Sequence, residues 1–231
     1  MSLGIDSRFR GPTTCGNGGY VSGRIAALHD ASVPVTVTLR VPPPLDRSLQ
    51  VSHDGDVLRV TDGEDAVAEA APAKEEDATA SAARVEPVDV AHARNLAADF
   101  PGHTNHPFPE CFVCGPSRSD GMRLFPGRLD DGRTACVWDV TADVAESTEF
   151  VWAALDCPGG WTAPIEGRPM VLGRMTATVA DDQLPATGDT CVVMGRYVGA
   201  EGRKVWTETT VYAPDSSVIG SAYATWIVLP T

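Results

Sequence analysis

The sequence predicts an α+β protein in which antiparallel strands from two similar units form one sheet around two central helices. Three observations support this fold class. The 231 residues are enough for two units of about 100 residues each. Segments that alternate apolar and polar residues, rich in β-branched side chains, occur in both halves of the chain. The order of helix, strand and hairpin in the first half is repeated in the second.

Residues 17–29 of the first half carry helical spacing. Val21, Ile25 and Leu28 lie at i, i+4 and i+7, which places them on one face of a helix. Asn17 precedes them and is a residue type that commonly caps a helix. We predict a helix here, after an irregular lead-in over residues 1–16. The alternating segments that follow predict strands, over 33–41, 48–53, 56–62 and 66–71.

A polar and Pro-rich region separates the two halves. Residues 72–86 are rich in Ala, Glu and Lys and predict a partly helical connection, and residues 88–100 predict a short helix. Pro and Gly are frequent in residues 101–126, which predicts a linker. The predicted organisation is an N-terminal unit, residues 1–100, then this linker, then a C-terminal unit, residues 127–231.

The second half repeats the first. Its spacing predicts a helix over 148–155 and strands over 133–140, 170–180, 189–199, 203–213 and 217–229. Gly-Gly-Tyr at 18–20 matches Gly-Gly-Trp at 159–161, and each pair of glycines is predicted to open a helix. The other matches lie in strands and hairpins, 38–41 with 176–179 and 60–67 with 211–218. Such a repeat indicates two copies of one unit, whose exposed sheet edges pair with each other.

The chain has a formal net charge of −13. Nucleic acid and anionic membrane surfaces are bound through Lys and Arg, so we expect this acidic chain to bind neither. No segment approaches the roughly 20 apolar residues of a membrane span, and the N-terminus lacks the order of a signal peptide. We expect a cytoplasmic protein whose six cysteines are free thiols or form one small metal site.

Three motifs carry a family resemblance: Asn-Gly-Gly-Tyr at 17–20, Pro-Phe-Pro-Glu-Cys-Phe-Val-Cys-Gly-Pro at 107–116 and Leu-Asp-Cys-Pro-Gly-Gly-Trp at 155–161. Together they resemble actinobacterial hotdog proteins of the thioesterase superfamily, over residues 15–229. The resemblance implies a double hotdog, one long antiparallel sheet wrapped around two central helices. A homodimer of double hotdogs is compatible with it.

The same resemblance implies an acyl-CoA thioesterase-like hydrolase that acts on a fatty or other acyl thioester. The partner would be an acyl-CoA or an acyl-carrier thioester, with CoA as part of the substrate and no separate cofactor. The superfamily also contains proteins without catalytic activity, so a non-catalytic acyl- or lipid-binding protein is the alternative.

Thioester hydrolysis needs a carboxylate that attacks or activates water, and an N–H donor that stabilises the carbonyl oxygen. Asp156 lies just before the glycine pair, where the resemblance places a catalytic acid, and it is the predicted base or nucleophile. Its alternative role is an N-cap of the following helix. The N–H groups of Gly159 and Gly160 are the predicted oxyanion donors. Alternatively, these glycines only permit tight packing between helix and sheet.

Three further residues are weaker candidates for the same site. Asn17 occupies the place in the first half that Asp156 occupies in the second. Thr178 offers a hydroxyl that can bind a water or a carbonyl group. Glu208 lies in the middle of a predicted strand, where it is either on the solvent face or directed at a site.

His103, His106, Cys111 and Cys114 offer the nitrogen and sulfur ligands of tetrahedral zinc, with the usual Cys-x2-Cys spacing. Because histidines before the cysteines are unusual, we favour a linker braced by prolines, with buried free thiols and surface histidines. The sequence has no Gly-x-Ser-x-Gly, P-loop or His-Glu-x-x-His motif. A serine hydrolase, an NTPase and a zincin are therefore not expected.

Overall fold

The alternating segments form a single antiparallel sheet in the computed structural model, which describes residues 1–29 and 33–230. Within these ranges the sheet has eleven strands. They are β1 (Ser2–Gly4), β2 (Val35–Leu39), β3 (Ser48–Asp54), β4 (Val57–Asp62), β5 (Asp65–Pro72), β6 (Gly127–Arg128), β7 (Thr134–Asp139), β8 (Met170–Val179), β9 (Thr190–Glu201), β10 (Lys204–Tyr212) and β11 (Val218–Val228). The helices are α1 (Gly18–Ala26), α2 (Glu75–Ser81), α3 (Val90–Leu96), α4 (Thr148–Ala154) and α5 (Cys157–Gly160).

The order of strands in the sheet occurs twice. The sheet runs β1-β3-β4-β5-β2-β8-β11-β10-β9-β7-β6, so β1-β3-β4-β5-β2 of the first half corresponds to β7-β9-β10-β11-β8 of the second. The central strands β2 and β8 join the halves, and Thr36 Oγ1 lies 2.7 Å from Thr176 Oγ1 across this joint. The predicted strand and hairpin matches fall on corresponding elements, which confirms them.

The predicted match between the two glycine pairs is wrong. The helix that corresponds to α1 is α4, whereas Gly159 and Gly160 lie in the short helix α5 that follows it. The last five residues of α4, 150–154, are all buried, which is typical of a central helix. It approaches α1 closely because Gly23 has no side chain: a Cβ atom there would lie 2.6 Å from Glu149 Cα.

Different segments cover the two faces of the second half of the sheet. Helices α4 and α5 lie on one face, and the segment that contains α2 and α3 lies on the other. Successive strand residues point to opposite faces. Thr209 lies beside Gly159 of α5, whereas the neighbouring Thr210 accepts a hydrogen bond from Val85 N at 3.0 Å. Tyr212, on the same face as Thr210, donates to Val85 O at 2.8 Å. The connection between the halves therefore packs on the outer face of the sheet.

Two segments are more ordered than predicted. The lead-in, residues 1–16, contains β1 and a 3-10 helix, Ser7–Phe9. The Pro/Gly-rich stretch 101–126 contributes side chains to the core, with Phe112 and Leu124 fully buried. Phe112 N also donates to Arg10 O at 2.7 Å, which ties this stretch to the first half. No helix in the described ranges has the length and apolar character to cross a bilayer.

Candidate functional site

A cavity of about 460 Å³ lies where the first turn of α1 meets the end of the α4–α5 segment. Its wall combines residues from both halves, because α1 packs against α4 and β2 pairs with β8. Most of the lining is apolar, with side chains from three central strands and the loops beside them: Leu39, Val41, Met170, Leu172, Trp226, Ile227 and Leu229. Asn17, Gly18 and Asp156 add polar groups at one end.

Asp156 is buried, with 3% of its surface exposed, and its two oxygens differ. Oδ2 accepts hydrogen bonds from Gly19 N at 2.9 Å and from Asn17 Nδ2 at 3.0 Å. Oδ1 has no hydrogen-bond partner among the described residues. Burial raises the pKa of Asp156 to about 7, although the two hydrogen bonds act in the opposite direction.

The expected alternative role of Asp156, an N-cap of the helix after it, does not hold. Asp156 precedes α5 but makes no side-chain hydrogen bond to its first turn. It binds the first turn of α1 instead, through Gly19 N. A carboxylate is favourable there because the N-terminus of a helix carries a partial positive charge.

Three of the four N–H groups in the first turn of α1 have hydrogen-bond acceptors. Gly19 donates to Asp156 Oδ2, Tyr20 donates to Asn17 Oδ1 at 2.9 Å, and Val21 donates to Asn17 O at 3.0 Å. The Asn17 bond confirms the predicted N-cap. The N–H of Gly18 remains, without an acceptor in the described part of the chain, and Gly18 lines the cavity.

Gly159 and Gly160 lie outside the cavity wall, although Asp156 and Cys157 beside them belong to it. A Cβ atom on Gly159 would lie 2.5 Å from Thr209 Oγ1, and one on Gly160 would lie 2.7 Å from the Trp226 ring. Gly160 N already donates to Asp156 O at 3.4 Å. The geometry favours the packing interpretation of these glycines.

Two of the weaker candidates lie away from Asp156. Thr178 is exposed on β8 and lines a different surface depression, beside Thr148 and Asp181. Glu208 is buried on the outer face of the sheet and pairs with Arg196, whose Nε donates to Glu208 Oε2 at 2.8 Å. The paired strands β9 and β10 place these two side chains opposite each other. Asn17 is the weaker candidate that the structure brings to Asp156.

The four predicted metal ligands do not converge as a group. His103 is exposed and its Nε2 lies 2.8 Å from Ala97 O. His106 is half-buried, and its Nε2 lies 3.3 Å from Cys114 Sγ. Cys157, which the sequence analysis did not include, joins Cys111 and Cys114 in a cluster of sulfur atoms.

The thiols of this cluster differ in acidity. Hydrogen bonds from the Cys114 and Cys157 thiols hold the pKa of Cys111 well below its usual range. Burial raises the pKa of Cys114, and the bond to Cys111 raises that of Cys157. Burial also lowers the pKa of His106. All six cysteines of the chain are free and buried.

No protein-family model and no curated protein matches the sequence. Solved structures match along the whole chain. A conserved protein of unknown function with a hot dog fold, from Alicyclobacillus acidocaldarius, is 10% identical and aligns with a TM-score of 0.60 over 100% of this chain and 93% of its own. The chain has a hotdog fold.

Two further structures share this hotdog fold with the chain. One is from Novosphingobium aromaticivorans, is described as a proposed thioesterase, is 11% identical, and has a TM-score of 0.65 over 99% of this chain and 95% of its own. The other is the tesB protein of Mycobacterium avium subsp. paratuberculosis, 9% identical, with a TM-score of 0.60 over 99% and 92%. The predicted resemblance to hotdog thioesterases is confirmed in fold, and the activity has to be argued from the site.

Proposed function

We propose that the protein hydrolyses an acyl thioester in this cavity, with Asp156 as base or nucleophile. The observation that carries the proposal is Asp156 Oδ1, a buried carboxylate oxygen without a partner among the described residues, on a residue that lines an apolar cavity. Oδ2 is held by Gly19 and Asn17, so the carboxylate is fixed in place. A fixed carboxylate can receive the proton of an attacking water.

The N–H of Gly18 supplies the oxyanion donor in this proposal, in place of Gly159 and Gly160. It belongs to the first turn of α1, where the helix dipole favours developing negative charge. As the water oxygen bonds to the carbonyl carbon, the carbonyl oxygen gains charge and Gly18 N–H stabilises it. The carbon–sulfur bond then breaks, and the leaving thiolate takes up the proton that Asp156 received from the water.

The lining of the cavity fits the two parts of an acyl-CoA. The apolar wall of strands β2, β8 and β11 accepts an acyl chain. Arg203 also lines the cavity and is exposed, and it is the basic side chain that we assign to the phosphates. Arg40 lines the cavity too, but its guanidinium group is paired with Glu69. Guanidinium groups bind phosphate well, and CoA carries phosphates along its arm. CoA is therefore the favoured carrier, although the net charge of the chain is negative.

The proposal extends to the two units of the chain, its location in the cell and its assembly. The twofold strand order supports a double hotdog within one chain, with units over residues 1–100 and 127–231 and the stretch 101–126 between them. We place the protein in the cytoplasm, where CoA thioesters are made and used, with CoA as part of the substrate and no separate cofactor. A homodimer of double hotdogs is compatible with this arrangement.

The test is thiol release from acyl-CoAs of short, long and aromatic acyl groups, with Asp156→Asn beside the wild type. Asparagine keeps an oxygen that accepts from Gly19 N but removes the base, so kcat/KM should fall by at least ~100-fold. Glu149→Gln is the matched control, since Glu149 lies on α4 and outside the cavity wall. It should keep wild-type turnover.

Two outcomes would contradict the proposal. Turnover that survives Asp156→Asn would mean that another group acts as base. Binding of acyl-CoA without turnover for any acyl group would favour the non-catalytic acyl-binding protein.

A further inference from the structure

Three cysteine sulfurs lie together at the wall of the cavity, although they come from separate parts of the chain. The Sγ atoms of Cys111, Cys114 and Cys157 all lie within 4.8 Å of one another. Cys111 and Cys157 are 46 residues apart, and their Sγ atoms are 3.8 Å apart. All three residues are buried and line the cavity. The stretch 101–126 thus meets the end of the α4–α5 segment at these sulfurs.

We propose that Cys111, Cys114 and Cys157 bind one Zn²⁺ ion through three thiolates, with the fourth coordination position open to the cavity. Zn–S bonds of about 2.3 Å in a tetrahedron place sulfurs about 3.8 Å apart. The separation of Cys111 Sγ and Cys157 Sγ has this value. A disulfide would need about 2.05 Å. The spacing of this pair therefore matches two ligands of one ion, and Cys114 Sγ lies within 4.8 Å of both.

The turn that holds Cys111 and Cys114 has the form of a metal knuckle. Gly115 N donates to Cys111 O at 2.8 Å, which closes a tight turn around the two cysteines. Gly115 is required for this turn, because a Cβ atom there would lie 2.5 Å from Cys111 O. The tight turn presents both sulfurs on one side, within 4.8 Å of each other.

The neighbouring side chains donate to the sulfurs. His106 Nδ1 accepts from Phe108 N at 2.9 Å, so the proton of a neutral imidazole is on Nε2, which lies 3.3 Å from Cys114 Sγ. His106 is therefore a donor to Cys114, and it is not the fourth ligand. Asn17 Nδ2 lies 3.7 Å from Cys111 Sγ and is a second donor. Such donors around the ligands commonly tune a metal site.

The donor set selects the metal. Thiolates favour Zn²⁺ over oxygen-preferring ions such as Mg²⁺ and Ca²⁺. Three protein ligands with one open position are typical of zinc sites that also bind a small ligand. The three thiol protons leave to solvent as the Zn–S bonds form, and no oxidant is needed. This inference does not depend on thioester hydrolysis.

The first test is titration of the reduced, metal-free full chain with Co²⁺ and Zn²⁺ in the presence of a phosphine reductant. Co²⁺ should give intense thiolate-to-metal charge-transfer absorption that saturates at one equivalent, and Zn²⁺ should displace it. Mg²⁺ should not compete. Elemental analysis after gel filtration should find one zinc per chain. A wild type that shows no charge-transfer band and retains no zinc would overturn the proposal.

Single substitutions distinguish the cysteines that bind zinc from those that do not. Cys111→Ser, Cys114→Ser and Cys157→Ser should each weaken zinc binding by more than ~100-fold, beyond the effect of losing a donor around the ligands. Cys136→Ser is the matched control, because Cys136 is buried on β7 and outside the cluster. It should bind zinc as the wild type does. Circular dichroism identifies any variant that fails to fold, and the wild-type titration decides in that case.

His106→Ala tests the open position. It should keep one zinc per chain with about tenfold weaker affinity, because it removes a donor to Cys114. A loss as large as that of Cys157→Ser would contradict the three-thiolate site, since His106 would then be a ligand.

Discussion

Asp156 serves two functions through its two oxygens. Oδ2 satisfies an N–H of the first turn of α1, and Oδ1 is left without a partner on a residue of the cavity wall. Asp156 could be predicted as the candidate carboxylate from its place before the glycine pair. Its donor Gly19 could not, because that contact spans 137 residues and exists only once α1 and α4 pack together.

Cys157 escaped prediction for the same reason. Spacing along the chain predicts His103 and His106 as ligands beside Cys111 and Cys114. The fold instead brings Cys157 from the second half to the two cysteines and leaves His103 on the surface. Spacing along the chain identifies ligands within one turn, but it carries no information on which distant segment packs against that turn.

Gly159→Ala tests the packing role of the glycine pair. The added Cβ would lie 2.5 Å from Thr209 Oγ1 and 2.8 Å from Thr207 Oγ1, so α5 has to move away from β10. Overpacking of this kind should lower the free energy of unfolding by about 1–3 kcal/mol, measured by denaturant unfolding. Gly199→Ala is the control, since its nearest neighbour is a Trp206 carbon at 3.8 Å. Equal stability of both variants would contradict the packing role.

Arg203→Ala tests the mouth of the cavity. Arg203 Nε donates to Val228 O at 2.8 Å, and the side chain is exposed. Removing it should raise KM for acyl-CoA by about two- to fivefold with little change in kcat, the size expected for an exposed charge contact. An acyl thioester of N-acetylcysteamine, which has no phosphate, is the control substrate. A KM that rises equally for both substrates would exclude phosphate binding by Arg203.

At the scale of secondary-structure elements, the length of a strand determined whether it could be predicted from the sequence. The strands β8, β9, β10 and β11 have nine to twelve residues, enough for alternation to show. Strand β1 has three residues and β6 has two, too few for any period. The role of the connection, residues 72–100, was also beyond reach, because a polar segment gives no sign of which face of a sheet it will cover.

The contact between this connection and the sheet can be tested at the hydrogen bond between Val85 and Thr210. Thr210→Val removes the hydroxyl that accepts from Val85 N, and the buried N–H is left without a partner. The free energy of unfolding should fall by about 1–3 kcal/mol. Thr178→Val is the matched control, because Thr178 is exposed on β8. Urea unfolding of both variants gives the comparison, and a Thr210→Val variant as stable as the control would show that the contact contributes nothing.

At the scale of the whole molecule, the two halves share one sheet and one pair of packed helices. Strands β2 and β8 pair over four residues each, and α1 lies against α4. A structure joined in this way should unfold in one cooperative transition. The predicted repeat anticipated the shared sheet, but the packing of α1 on α4 was hidden by the mistaken match of the two glycine pairs.

The tryptophans allow this cooperativity to be measured without labels. All five lie in the second half, at positions 138, 152, 161, 206 and 226. Tryptophan fluorescence therefore reports the second half, whereas far-UV circular dichroism reports both. The two probes should give the same denaturant midpoint in the wild type. Separate midpoints would show that the halves unfold independently.

The hydrogen bond between Gly19 and Asp156 has a consequence for how the sequence can change over generations. One half supplies the amide and the other supplies the carboxylate, and a Cβ atom on Gly19 would lie 2.5 Å from Asp156 Cβ. Selection on either residue is therefore selection on both. At this contact the two halves are expected to change together, because a larger residue at position 19 is compatible only with a shifted or smaller residue at position 156.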